Sequence, residues 1–258
     1  MLLDAYRRLP MFPLLALIPL TVDGISVLLG MLLRGFHGNP HVTFKLTLQM
    51  GLPSIAAVTE QTFMLGSVQV GSGIHAGSML GVLLLLAAFL TVQAFLQGGY
   101  IGLLHDAAGG SGLSLERFAA YGRHFFGRFF LLNLLVMALL FLVGGIFTGV
   151  MGMPGVILFM LIFISVRIVF LYLEFTLVVE DCSIGEAFPR SLEAFRRRTS
   201  YTLPLVAVAL VINVVAGLLI NAMWMPFLFF VLLVAYDLTM AGLQLAFMED
   251  YHSTRRQY

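Results

Sequence analysis

Charge is scarce in this chain. Of its 258 residues only a tenth are Asp, Glu, Lys or Arg, where a soluble domain carries about a quarter, and sixty per cent are apolar. A water-soluble fold is excluded. Cysteine is nearly absent: Cys182 stands alone, so neither a disulfide framework nor a cysteine-based metal cluster can form within one chain. A plain reduced thiol is the reading for it, with palmitoylation near a helix end as the alternative. The net charge of +1 lacks the basic excess that a nucleic-acid partner requires. Also missing is the alternating pattern of about ten residues that marks a barrel strand, and no polar stretch is long enough for a separate soluble catalytic domain.

What the chain does have is long apolar runs. They cover 11–33, 79–104, 129–151, 154–179, 201–220 and 226–248, each long enough to cross a bilayer core, which takes about 20 residues per helix. Only helices can do so with runs of this kind. The N-terminus, MLLDAYRRLPMFPLLALIPL, sets two arginines before an apolar run as a signal peptide would. That run continues to Leu33 without a small-residue cleavage site, so a retained first helix is expected. The fold class is therefore an all-α, polytopic membrane helical bundle, a single integral membrane domain over 1–258 with six transmembrane helices.

Orientation follows from Lys and Arg, which stay on the cytoplasmic side. Arg7 and Arg8 precede the first span. Arg117, Arg123 and Arg128 lie between the second and third, Arg190, Arg196, Arg197 and Arg198 between the fourth and fifth, and Arg255 and Arg256 close the chain. The opposite side has Arg34 and Lys45 alone. Both termini are thus expected in the cytoplasm (N-in/C-in).

The first outer loop, 34–78, is the one long connection. Val42, Phe44, Leu46, Leu48 and Met50 alternate with polar residues, as in a strand, while Ser54 onward suits an amphipathic helix. A lone strand would leave both edges unpaired, so a helical cap lying on the outer leaflet is expected. The tract Gly66 to Gly77 reads as a flexible lead-in to the second span; the strand and lysine of a phosphate-binding loop are missing from it.

Both inner loops read as amphipathic surface helices. Ser114 opens a segment with Leu115, Phe118, Phe125, Phe126 and Phe129 at helical spacing. Ser183 and Glu186 make a capping box, and Ile184, Ala187, Phe188 and Phe195 supply the apolar side. Pairs four apart, Glu186 with Arg190 and Glu193 with Arg197, support this helix, and Pro189 should break or restart it. The two segments are 69 residues apart, serine to serine, a weak parallel repeat.

Three stretches carry a resemblance: QGGYIGLLHDAAGGSGLSLERF from Gln97, the outer turn VMGMPGVILFM, and LVVEDCSIGEAFPRSLEAFRRR. From the second span onward the chain resembles a group of uncharacterised bacterial six-helix inner-membrane proteins, similar in turn to the membrane domain fused to some glycerophosphodiester phosphodiesterases. The matching features are the acids Glu180 and Asp181, the small residues Ala187 and Ser191, and the basic cluster at Arg196 to Arg198. The resemblance implies a multi-pass setting in a bacterial cytoplasmic membrane, and no hydrolase activity carries over from it, since this sequence has no phosphodiesterase domain.

The sharpest feature is charge inside the spans. Asp23, Arg167 and Asp237 each lie eleven or twelve residues from the inner end of their span, roughly 17–18 Å deep at 1.5 Å per residue, and Glu174 lies two turns from Arg167. An isolated charge there costs about 2.5–3.5 kcal/mol, so these groups should face inward and meet. Either they form a proton or ion relay, or an anionic-substrate site organised by Arg167, or they are a buried lock, most simply Arg167 with Asp237. Ala94, Gly98 and Gly102, and Gly145 with Gly149, form small-residue faces for close helix approach, inside the bundle or at a homo-oligomer seam. Gln93, Gln97, Asn133, Asn213, Asn221 and Gln244 are candidates for interhelical hydrogen bonds.

Arg117, Arg123, Arg128, Arg196, Arg197 and Arg198 would lie at headgroup level, to set topology or to contact lipid headgroups or a cytosolic or membrane protein partner. The histidines His37, His41, His75, His105, His124 and His252 form no ligand pattern; no metal, cofactor or catalytic set is legible. The expected function is a non-enzymatic membrane protein of transport or envelope lipid homeostasis, acting alone or as an accessory subunit. The alternatives are the permease subunit of an ABC-type transporter, to whose inner-loop motif GEAFPRSLEAFRRRTSYTLP is loosely similar, and a membrane-embedded lipid-modifying enzyme.

Overall fold

Apolar runs of this length leave the backbone one way to satisfy its own hydrogen bonds in a bilayer, and the computed structural model takes it. Every regular element among the described residues is helical. The structure describes residues 2–38, 40–42, 47–49, 51–61 and 76–255. Lys45, His75, Arg256, most of the tract Gly66 to Gly77, and Thr43 to Leu46 with Met50 in the alternating stretch lie outside them.

A short α1 (Leu2–Arg8) leads into α2 (Leu14–Arg34). After the first loop come α3 (Ala76–Ala108), α4 (Leu115–Met151), α5 (Met153–Val169), α6 (Leu173–Val179), α7 (Ile184–Ala222) and α8 (Pro226–Arg255). Six spans, with α5 and α6 counted as one, are long and apolar enough to cross a membrane. The chain is accordingly a multi-pass membrane protein.

The segments that open at Ser114 and Ser183 are not separate surface helices. Ser114 does cap a helix, its Oγ accepting from the Arg117 N–H at 3.2 Å, but that helix runs unbroken for 37 residues into the membrane. Between Arg128 and the apolar run there is no Gly or Pro to stop it. Ser183 and Glu186 form the capping box, yet α7 also continues for 39 residues. Pro189 does not break it. It forfeits one hydrogen bond near the exposed Gly185, and the kink falls instead at Arg198, where φ is −118° and ψ is 15°. The fourth span, conversely, is interrupted: Phe170 to Tyr172 leave the helical path between α5 and α6.

Helix α8 is the axis of the bundle, packing on α1, α2, α3 and α7, and every residue from Met240 to Met248 is buried. Tyr6 donates from its hydroxyl to the Thr239 carbonyl at 2.6 Å, and Arg8 pairs with Glu249 at 2.6 Å. The N-terminal helix thus lies along the C-terminal half of α8, which puts α1 and the end of α8 at one end of the bundle. The clustered arginines share that end, since Arg117 reaches Asp106 and Arg128 reaches Asp181. We call it the basic end, and the other the loop end.

The largest departure from expectation is the first loop. Its described residues do not lie as a cap on the surface but dip into the bundle. Leu48, Gly51, Pro53, Ile55, Val58, Thr59 and Gln61 are all buried, and the one regular piece among its described residues, a single 3-10 turn at Ile55–Ala57, is itself part of the core.

The small residues on α3 do internal work. Gly98 lies against Phe125 and Phe129, Gly99 against Phe118, and Gly102 against Tyr121, so α4 lays an aromatic face onto a glycine track. Gly145 and Gly149 on α4 face open space. A Cβ at Gly102 would fall 2.2 Å from the Tyr121 ring. Gly102→Ala should therefore cost about 1–3 kcal/mol, seen as a lower thermal midpoint in detergent, while Gly145→Ala should not lower it. Equal midpoints would show that glycine is not what lets α3 and α4 approach.

Candidate functional site

A chain that enters a membrane core without helix or sheet brings unpaired amides and carbonyls with it, and each needs a partner. Polar side chains on α2, α7 and α8 supply them. At the loop end the His41 N–H donates to the Asn221 carbonyl at 2.9 Å. Deeper, the Asn213 amide donates to the Thr47 carbonyl at 2.6 Å, and deeper still the Gln244 amide donates to the Gln49 carbonyl at 2.7 Å. Gln244 is eighteen residues from the loop end of α8, about 27 Å along the helix.

The loop turns there. Gly51 adopts φ +90°, a conformation L side chains rarely adopt, and a Cβ on it would meet the Gln97 side chain at 2.8 Å. The chain then climbs. Ser54 donates from Oγ to Asp23 Oδ1, the Ile55 N–H donates to Asp23 Oδ2, both at 2.5 Å, and the Gln49 amide donates to the Ser54 carbonyl at 2.9 Å. Back at the mouth, the Asn221 amide donates to the Val58 carbonyl at 3.2 Å while its Oδ1 accepts from the Glu60 N–H at 3.1 Å. Gly217 lets Val58 come close, since a Cβ there would meet the Val58 carbonyl oxygen at 3.2 Å. The described residues between His41 and Gln61 thus trace a re-entrant loop whose two limbs are pinned at matching heights.

This corrects the role of the buried amides. Asn213, Asn221 and Gln244 serve the loop more than they join helices, although Tyr236 does donate to Asn213 Oδ1 at 2.7 Å and Asn133 to Gln97 at 3.2 Å.

The four intramembrane ionisable residues separate into two groups. Asp23 and Asp237, each 1% exposed, lie eleven residues from the loop end of α2 and of α8, and their carboxyl groups come within hydrogen-bonding reach of each other. Both oxygens of Asp237 lack a donor among the described residues. Arg167 goes elsewhere. It pairs with Glu174 at 2.5 Å across the interruption between α5 and α6, so the expected Arg167–Asp237 pair does not form. The reason lies in the interruption: it diverts the straight helical path at Phe170 to Tyr172 and lets Glu174, 2% exposed at its side chain, meet the guanidinium.

The six candidate headgroup arginines are mostly occupied within the protein. Arg117 binds Asp106 at 3.2 Å, Arg128 binds Asp181 at 2.5 Å, Arg197 binds Glu193, and Arg198 lies 3.8 Å from Asp250 and over the Tyr201 ring. Arg123 donates to the Ala119 carbonyl of its own helix, and Arg196 is exposed with no ion pair among the described residues. Asp181 sits in the left-handed region at φ +46°. The Arg128 guanidinium, with His124 at 3.1 Å, holds its carboxyl below the usual carboxylate range. Other histidines pair too, His41 with Glu60 and His105 with His252, and among the described residues no three ligating side chains could hold a metal.

One polar cluster left no mark in the sequence. Asp250, 1% exposed, accepts from the Tyr172 hydroxyl at 2.6 Å and from Thr202 at 3.2 Å, and beside it Tyr251 donates to Glu180 at 2.8 Å, which also receives Arg190 at 2.9 Å. It ties α6, α7 and α8 together just below the broken span.

The chain belongs to the DUF7847 family, a domain of unknown function. The match runs over residues 26–250. No curated protein and no solved structure matches it. Within this DUF7847 chain the matched stretch takes in the re-entrant loop, Arg167, Glu174, Asp237 and the cluster at Asp250, and begins just after Asp23.

The two ionisable groups make separable predictions. Arg167→Ala should destabilise this DUF7847 protein by about 3–5 kcal/mol, because Glu174 is left as an unpaired buried charge, and adding Glu174→Gln should restore most of the loss. Adding Asp237→Ala instead should give a purely additive effect. Thermal midpoints of these variants, of Asp237→Ala alone and of the wild type decide it, and rescue by Asp237→Ala would contradict the pairing.

Proposed function

We propose that this chain is a non-enzymatic transport protein of the bacterial cytoplasmic membrane, with both termini and the basic end in the cytoplasm, and with the re-entrant loop as the element that meets the transported species. One observation carries the reading: a stretch of non-helical chain reaches mid-membrane depth, pinned by side chains of three spans. Irregular backbone at that depth is tolerated only where it is buried in protein or lines a water-filled cavity. In transporters it recurs at the site of binding, together with interrupted helices, and the α5–α6 interruption is a second instance in this chain.

The orientation rests on the arginines. With the basic end inward, the amphipathic first turns of α4 and α7 reach the inner-leaflet headgroups, where Arg123 and Arg196 have charge to offer lipid, and the mouth of the loop, with His41 and Glu60, opens outward. A part in envelope lipid homeostasis belongs to this reading and rests on the sequence resemblance to membrane domains fused to phosphodiesterases.

Thiol accessibility tests the reading without knowing the cargo. In a Cys182→Ser background, Leu52→Cys at the loop tip and Glu60→Cys at the mouth are probed in sealed vesicles with a membrane-impermeant maleimide. The mouth should label fast from the outside and the tip at a slower, measurable rate from the same side. A tip that never labels, while the mouth does, makes the loop a sealed structural plug and removes the argument for transport.

A further inference from the structure

Two carboxyl groups facing each other in a membrane interior raise a definite chemical question: what lies between them. Asp23 is an anchor. Its oxygens each accept a donor from the climbing limb of the loop, Ser54 Oγ and the Ile55 N–H. Asp237 is the opposite case, fully buried with no donor on either oxygen among the described residues and with the Asp23 carboxyl within reach.

The described neighbours do not supply one. Tyr100 faces the pair from α3, but its hydroxyl donates to the Leu15 carbonyl at 3.1 Å. Tyr236, next to Asp237 on α8, donates to Asn213 and accepts from the Gln49 amide at 2.9 Å. Arg167, the cation at comparable depth, is taken by Glu174. Two bare carboxylates in contact repel, and carboxyl pairs resolve this by sharing a proton.

We infer that Asp23 and Asp237 hold one exchangeable proton between them, a hydrogen bond from Asp237 to Asp23, and that this proton keeps the re-entrant loop seated. When it leaves, two negative charges stand against each other and Asp23, which carries Ser54 and Ile55, is pushed from its place together with the climbing limb. The ligand of the site is a proton, and the element it moves is the loop. This deepens the transport reading, on which it rests, by naming the ion coupled to loop movement.

The test is infrared spectroscopy of the purified full-length protein at neutral pH, in H2O and D2O, with Asp237→Asn as the reference. The wild type should show a protonated-carboxyl stretch that shifts in D2O and is lost in Asp237→Asn. Identical spectra for the two proteins overturn the proposal, whatever else neutralises the pair. Thermal midpoints give the link to the loop. The amide introduced by Asp237→Asn can donate to Asp23 in place of the proton, so that variant should match the wild type. Asp23→Asn should lower the midpoint, because an amide must turn its NH2 toward Ser54 or Ile55. Equal damage from both substitutions overturns the coupling. Failure here leaves the thiol labelling of the loop tip unaffected, and a sealed loop would leave the infrared band in place, so the two readings fail separately.

Discussion

Everything particular about this molecule follows from one constraint, that an amide or carbonyl inside a bilayer must find its partner within the protein. For six apolar spans the α-helix meets that demand without help from side chains, which is why their surfaces can be almost wholly Leu, Val, Ile and Phe. The first loop cannot. Where its described residues between His41 and Gln61 leave the surface, each exposed backbone group costs several kcal/mol if unpaired, and the helices around them must carry polar side chains at the matching heights. Asn221, Asn213, Gln244 and Asp23 stand at those heights. The loop and the polar residues of the spans are thus one feature seen from two sides.

The same dependence explains what could be read from sequence and what could not. Helix-forming apolar runs are local signals, and the six spans were legible from length and hydropathy alone. The serine caps at Ser114 and Ser183 were legible too, because capping depends on residues within one turn. Where helices stop was harder. The amphipathic and apolar parts of α4 join through Arg128 and Phe129, and period alone does not say whether such a junction bends. The interruption at Phe170 to Tyr172 has neither Gly nor Pro to announce it; it is imposed by packing, with Leu171, Tyr172 and the whole of Leu173 to Val178 buried among α3 and α7.

The re-entrant loop left a trace that a pattern search for strand or helix passes over. From Leu46 to Val58 the chain reads LTLQMGLPSIAAV, too apolar for a connection that faces water, with a Gly-Leu-Pro-Ser turn at its centre. Apolar composition with turn chemistry and no lasting period is what a buried irregular segment requires. Asking how many apolar residues of a long loop could be covered at a membrane surface would have pointed inward. The cluster at Asp250 had no such trace, because Tyr172, Thr202 and Asp250 lie on three different parts of the chain and only the fold brings them together.

Charge pairing inside the spans shows the limit of reasoning by depth. Asp23, Arg167 and Asp237 stand at similar heights, and electrostatics in a medium of low dielectric favours joining opposite signs. The structure instead sets Asp237 beside Asp23, with no donor on either Asp237 oxygen among the described residues, and gives Arg167 to Glu174. Depth decides which groups could meet, but lateral position around the bundle decides which do. Asp23 on α2 and Asp237 on α8 share an interface directly, since α2 packs on α8, whereas α5 reaches the rest of the bundle chiefly through α4, with a slight contact to α7. A buried lock of opposite charges would have made the centre of the protein inert. A pair of acids under a loop that one of them holds instead ties the charge of the pair to the position of the backbone that Asp23 anchors.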